Sequence, residues 1–304
     1  MTRHKRKSAG RGAIIAIVKG GLGNQFFIYA AARALALRTG RDLYLDAELG
    51  YQDDRYGRRY RLQHFPVRAT LLPEEWRIAP SLRHPRHRLV RMANKLLPIR
   101  WRTYLAESHL DSPETMARYR PARRRVTLVG YWQNETFFAD QAIRIREELT
   151  PPLPEDEETR IRGETLAGQE SVLVHVRRHR YSPLLGADYY QAAIDEAREK
   201  LDSPVFVLFG DDPDWALARL DFGTARVEVR SCDVDDELRD LWLMTRCRHA
   251  IIANSTFSWW GAWLGGEAGR QRLIWTPAST GLPLQGAAGW RRLPASLDYV
   301  DKCA

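Results

Sequence analysis

Three cysteines in 304 residues, Cys232, Cys247 and Cys303, are too few and too scattered for a disulfide framework or a zinc site. Sparse thiols of this kind suit a reducing, cytoplasmic compartment. Long apolar runs are missing as well. The longest early one, Ala13–Val18, is too short for a signal-peptide core or a membrane-spanning helix, so the expectation is at most peripheral membrane contact. Acidic residues are in the minority: 38 Asp and Glu stand against 47 Lys and Arg, a net charge of +9. That balance points to an anionic partner, whether nucleotide phosphate, acidic glycan, nucleic acid or a membrane surface. Much of the excess lies in Thr2–Arg11 and Arg83–Arg102.

Two phosphate-binding fingerprints are also incomplete. Gly21-x-Gly23 is followed by Phe26 where a dinucleotide-binding turn needs its third glycine, and no lysine closes a P-loop. Asp212-Pro213-Asp214 spells a metal-binding Asp-x-Asp. It follows a strand, however, with proline at the first helical position, and helix capping accounts for it.

What is present is a packed globular chain, 44% apolar with ten tryptophans, long enough for two domains. Residues 1–12 read as a basic, disordered tail. Ala13–Val18 reads as a buried strand, Lys19–Gln25 as a glycine turn, Phe26–Arg38 as a helix apolar on one face and stopped by Gly40, and Asp42–Leu45 as a strand. From Ala47 to Arg125 aromatic residues are scattered without period among arginine and proline. They fit small-core packing, a sugar-stacking wall or a nucleic-acid face, but no nucleic-acid motif accompanies them. Val126–Gln133 reads as a strand entering a turn and Glu135–Leu149 as an amphipathic helix. Thr150-Pro151-Pro152-Leu153-Pro154-Glu155 then breaks the chain, placing a boundary between domains 13–150 and 151–304. Beyond a charged helix, Asp156–Leu166, strands (Val172–Arg178, Val205–Phe209, Arg226–Val229, Ala250–Ala253, Leu273–Trp275) alternate with helices (Tyr189–Lys200, Trp215–Leu220, Asp235–Cys247). That alternation predicts an α/β fold on a parallel sheet.

Ligands of such sheets sit outside the carboxyl ends of the strands, where His175-Val176-Arg177-Arg178 and Asn254-Ser255-Thr256 fall. A guanidinium takes two phosphate oxygens at once, and the helix start after Asn254 offers free N–H groups, a positive dipole end and the hydroxyls of Ser255 and Thr256. Together they form a diphosphate clamp that needs no metal. The plain alternative is an ordinary helix cap. Trp259, Trp260 and Trp263 beyond it read as buried helix packing in preference to a sugar-stacking surface.

Four segments carry a resemblance to a known family. They are Gly20-Gly21-Leu22-Gly23-Asn24-Gln25-Phe26, Gly130-Tyr131-Trp132-Gln133-Asn134 with Phe137-Phe138, His175-Val176-Arg177-Arg178 with Asp188-Tyr189-Tyr190, and Leu241–Met244 through Asn254–Leu264. In this order they resemble glycosyltransferase family 11, the α-1,2-fucosyltransferases, and more distantly the α-1,6- and protein O-fucosyltransferases. The resemblance implies a GT-B architecture, two Rossmann-like domains facing a cleft. Domain 13–150 would lie on the acceptor side, and 151–304, with a C-terminal extension, would bind the GDP-sugar. It implies inverting, metal-independent transfer of L-fucose from GDP-β-L-fucose to a glycan hydroxyl, α-1,2 to galactose, in bacterial surface polysaccharide synthesis. A lipid-linked acceptor fits that setting, and no cofactor beyond the donor is expected. Secretory-pathway relatives usually carry a membrane anchor, so its absence here reads as a bacterial-type cytoplasmic enzyme, peripheral at most on the inner face of the plasma membrane.

Carried over by position, Arg177 would hold the β-phosphate, assisted by Ser255 and Thr256, with Arg178 and Asn254 also in the donor site. His175 and Asp240 would hold the guanine, whose N1–H and amino group suit a carboxylate. Gly21 and Gly23 would let the backbone approach the ligand, and Asn24 would reach the sugar or acceptor. After the two arginines the family usually continues with glycine and aspartate; here His179 and Arg180 follow. His179 is then a candidate base, and Arg180 a contact for an acidic acceptor. Two alternatives stay open: a transferase using another GDP-sugar, and a non-catalytic nucleotide-sugar or nucleic-acid binder.

Overall fold

The computed structural model describes residues 12–77, 89, 92–94, 96–110, 113–178, 183–231, 237–265, 271–278, 284 and 286–298. The chain divides into two compact units, Met1–Leu149 and Thr150–Ala304.

In the first unit the strands are β1 (Ala13–Ile17), β2 (Asp42–Asp46), β3 (Thr70–Leu71), β4 (Tyr104–Ala106) and β5 (Arg125–Val129). Among the described residues they form one parallel sheet in the order β3-β2-β1-β5-β4. The helix after β1 runs Leu22–Thr39 and begins four residues earlier than the sequence suggests. Gly21 adopts extended backbone and its carbonyl accepts from the amides of Asn24 and Gln25, so the apparent glycine turn is the helix's first turn. Nor is the helix apolar on one face alone. Phe26 through Ala32, Ala34, Leu35 and Ala36 are all buried, so it is a core element covered nearly all round. Gly40 ends it in the left-handed region, φ 63°.

The predicted helix Glu135–Leu149 is interrupted. Short 3-10 turns at Glu135–Phe137 and Ala139–Gln141 precede the helix Ala142–Leu149. Phe138 stands between them at φ −139°, ψ 6°, outside helical backbone. The break lets Phe137 meet Trp132 edge-on at 5.2 Å while Phe138 turns to Phe27 at 6.2 Å.

The second unit contains β6 (Ser171–Val176), β7 (Leu184–Leu185), β8 (Val205–Gly210), β9 (Arg226–Ser231), β10 (His249–Ile251), β11 (Ile274–Ala278), β12 (Arg291–Pro294) and β13 (Leu297–Asp298). The main sheet is parallel in the order β12-β11-β10-β6-β8-β9, and β7 pairs antiparallel with β13. Every residue of β6 and of β8 is buried, as a parallel strand covered on both faces requires. Both pack into a core with Tyr189, Tyr190 and Trp275, where truncating a large side chain to alanine costs about 3–5 kcal/mol. The connecting helices are Glu157–Gly168, Ala187–Lys200, Pro213–Arg219, Glu237–Arg246 and Thr256–Leu264. Asp156 caps the first, its carboxylate accepting from the amide of Thr159 at 2.7 Å. Asp212 caps the third in the same way, accepting from Trp215 at 2.9 Å with Pro213 in the first turn, so the Asp-x-Asp is a capping motif here. β10 ends at Ile251, leaving Ile252 and Ala253 buried beyond it.

Candidate functional site

In the second unit β6 lies between β10 and β8, so the residues just past these three strands meet at one end of the sheet. Arg177 follows β6. Its Nε lies 3.2 Å from Oδ2 of Asp211, which follows β8, and Asp211 Oδ1 accepts from the amide of Arg178 at 2.7 Å. One carboxylate therefore fixes both the backbone and the guanidinium of this turn. The two terminal nitrogens of Arg177 have no partner among the described residues, and its side chain is 37% exposed. The register is held by Gly210, where a Cβ would lie 2.2 Å from the carbonyl oxygen of Val176.

Arg178 does not share that position. Its Nη1 donates to the carbonyl of Leu185 at 3.0 Å and its guanidinium stacks 4.2 Å from the Trp215 ring. It serves to pack the sheet edge, which the sequence motif does not distinguish from phosphate binding.

His175, the fifth residue of β6, is 1% exposed and its ring lies 6.4 Å from that of Phe257. Burial, with the charge of Arg177 beside it, pushes its pKa down to about 3, so it is neutral at ordinary pH. Its Nδ1 has no partner among the described residues, and neither has Oδ1 of Asn254, 4% exposed, just past β10. Two buried polar atoms left open at one sheet end call for a ligand or water. Ser255 caps the Thr256–Leu264 helix, its hydroxyl accepting from Phe257 at 3.3 Å; Thr256 begins the helix, half-buried. The first-turn N–H groups of this nine-residue helix give an anion its complement.

Asp240 is buried, 2% exposed, in the first turn of the Glu237–Arg246 helix. That helix and Thr256–Leu264 each lead towards a parallel strand, so they run parallel to each other, and Met244 packs against Gly261. One turn back on both helices, Asp240 comes level with Phe257, the neighbour of His175. Trp259, Trp260 and Trp263 are 0, 0 and 2% exposed and pack on one another. Asp188 and Tyr189 are scaffold: Asp188 holds Ser296, and the Tyr189 hydroxyl donates to the carbonyl of Ile252 at 2.7 Å. His179 and Arg180 lie outside the described residues.

The glycine-rich motif builds a second site in the first unit, at the carboxyl ends of β1 and β5. A cavity of about 510 Å³ is lined there by Lys19, Gly20, Asp53, Arg58, Tyr104 and Tyr131, among others. Lys19 Nζ stands 4.2 Å over the Tyr131 ring. Asn24 Oδ1 accepts from Gln133 Nε2 at 2.7 Å, joining the first two sequence motifs. Gly21 caps the helix with open space where a Cβ would be, and Gly23 is buried in the first turn. The glycine that sterics demand is Gly20, at φ 77°, with Asn24 Nδ2 2.8 Å from the Cβ position.

Four residues that sequence reasoning passed over organise these sites. Gln25, fully buried, donates to the carbonyls of Gly20 and Arg59 and accepts from the amide of Arg61. Glu107 accepts from the amides of Tyr131 and Trp132, both at 3.0 Å, where Trp132 takes φ 57°. Asp211 and Gly210 set the Arg177 turn. The available signal was position: both stand at the end of an apolar strand, beside the more conspicuous Asp212-Pro213-Asp214.

Known proteins agree with this architecture. A mutant of Arabidopsis thaliana FUT1 solved in complex with GDP matches with a TM-score of 0.53 at 13% identity, covering 88% of this chain and 71% of that one, which supports the GT-B fold. In sequence, the Escherichia coli alpha-1,2-colitosyltransferase is 29% identical over 83% of this chain and 87% of its own. The Bos taurus galactoside 2-alpha-L-fucosyltransferase SEC1 is 28% identical over 90% of this chain and 73% of its own. The family model of glycosyl transferase family 11 spans residues 13–280, taking in both glycine-rich and arginine-bearing sites, and the chain belongs to that family of glycosyltransferases.

Proposed function

We propose that the protein transfers L-fucose, or a sugar close to it, from a GDP-activated donor to a glycan hydroxyl, with inversion and without a metal. The observation that carries this reading is the sheet end of the second unit. There, the free nitrogens of Arg177, a helix N-terminus and the open polar atoms of His175 and Asn254 converge. Arg177 and the helix end hold the diphosphate. As the acceptor oxygen attacks the anomeric carbon and the bond to phosphate breaks, they stabilise the charge gathering on the leaving group. Asp240 accepts from the guanine edge, and His175, being neutral, contributes a hydrogen bond and no charge. The first unit takes the acceptor in the cavity beside Lys19 and Tyr131, an aromatic face suited to a sugar ring. The names of relatives support an α-1,2 linkage to galactose, and an Escherichia coli relative named for O-antigen biosynthesis supports surface polysaccharide as the product.

Calorimetry with GDP, ADP and UDP in excess EDTA tests the donor site. GDP is expected to bind tightly and the other two weakly. Equal affinities would remove the guanine assignment, and loss of GDP binding in EDTA would remove metal independence.

A second donor is favoured by one relative, whose name specifies colitose. Colitose is fucose without its 3-hydroxyl, so discrimination depends on whether a protein group bonds that hydroxyl. A kcat/KM for GDP-colitose more than about tenfold above that for GDP-fucose would decide for colitose.

A further inference from the structure

We propose that the first unit docks on an anionic phospholipid bilayer through the surface formed by residues 89, 92–94, 96–102 and 118–123. The inference is independent of the donor and acceptor assignments.

Apolar side chains are exposed in this stretch to an unusual degree: Leu89 65%, Met92 59%, Leu96 88%, Leu97 36% and Trp101 40%. The stretch is fastened to the fold. Asn94 is buried and its Oδ1 accepts from the amide of Thr103, directly before β4, at 2.9 Å. Arg102 Nε donates to the carbonyl of Leu97 at 3.0 Å. Leu96 and Leu97 thus stand outward on a segment tied at Asn94, Leu97 and Arg102.

The same stretch of sequence is basic. Residues 83–102 contain seven Lys or Arg and no Asp or Glu. The guanidinium groups of Arg100 and Arg123 lie 5.6 and 5.4 Å from the Trp101 ring, and Arg123 donates to the Trp101 carbonyl. The amide of Ala122 donates to the carbonyl of Arg100 at 2.7 Å, which lays the second segment along the first. Beside them a groove of about 460 Å³ is lined by Arg100, Arg118 and Arg120, with Glu114 its one carboxylate among the described residues.

Charge complementarity selects the occupant. Apolar side chains that enter the acyl boundary, a tryptophan at headgroup depth and arginines among the phosphates are what an anionic interface accepts. Each Lys or Arg near such a surface strengthens attachment by about fivefold. Nucleic acid would satisfy the arginines and leave Leu96 and Met92 in water. A second copy packed by twofold symmetry would set this cationic face against itself. Among the described residues no helix is long and apolar enough to cross a membrane, so the contact is one of lying on the surface.

Co-sedimentation with vesicles is the test, using phosphatidylcholine alone or with a fraction of phosphatidylglycerol. The full chain is expected to bind the mixed vesicles and release at high salt. Leu96→Glu with Met92→Glu, at positions too exposed to unfold the unit, should lower partitioning at least about tenfold. Ile143→Glu, equally exposed on the Ala142–Leu149 helix, should leave it unchanged. Charge reversal in the basic tail, Lys5→Glu with Lys7→Glu, should retain most binding. Absence of binding, equal losses in the Ile143 control, or loss with the tail variant alone would each overturn the proposal. So would partition that persists in the Leu96 and Met92 variant, or a dimer in sedimentation velocity that the same variant dissociates.

Discussion

His175 is a buried, neutral histidine, and acid should expose that. Its pKa falls from 6.5 to about 3 in the fold, chiefly because burial strips solvent from the charged form and secondarily because Arg177 repels it. Protons therefore bind the unfolded chain first. The stability this group allows is full above pH 6.5 and declines as the pH falls towards 3. At pH 5 the unfolded imidazole is almost fully protonated and the folded one is not, which takes about 2 kcal/mol from the fold. His175→Gln keeps a polar side chain without a proton to gain, so between pH 7 and pH 5 it should lose about 2 kcal/mol less than the native protein. His249, whose pKa is also lowered by burial, titrates in both proteins and cancels in the difference. Urea titrations at the two pH values, followed by tryptophan fluorescence, measure the quantity, since Trp259, Trp260 and Trp275 lie buried in the same unit. Parallel losses in the two proteins, or an imidazole NMR signal for His175 that titrates near 6.5, would refute the reasoning.

Arg177→Lys should reduce turnover by about a hundredfold, on the order of 3 kcal/mol, because lysine cannot keep the Asp211 contact and present two further donors. Arg178→Lys should be milder and show mainly as lost stability; steady-state rates and melting curves separate the two. Gln25→Ala should cost about 2–4 kcal/mol, read from denaturant unfolding, since three backbone groups lose their partner.

The parallel sheet of the second unit was legible because its strands are continuous apolar runs, and their ends marked Arg177 and Asn254. Local reading fell short where long-range contacts override pattern. Gly23 and Asn24 look like turn residues, yet the carbonyl of Gly21 accepts from Asn24 and Gln25 and starts a helix there. Phe137 and Phe138 fit a helical face, but their partners Trp132 and Phe27 pull them apart. Arg177 and Arg178 are chemically identical neighbours, and only Asp211 and Trp215 give them different work. The described part of 47–125 has no period to read because side chains such as Asn94 and Gln25 hold its backbone across sequence gaps.

The approach of Gly210 to Val176 bears on how such a site evolves. The turn that carries Arg177 is located by backbone against backbone, a contact that only a hydrogen side chain permits. With the carboxylate of Asp211, that contact sets the arginine's position from two adjacent residues. Under the proposed function, sugar specificity can then diversify at the loops while the leaving-group contact stays in place. A directed-evolution library for new donors should therefore spare residues 176, 177, 210 and 211 and vary what surrounds them.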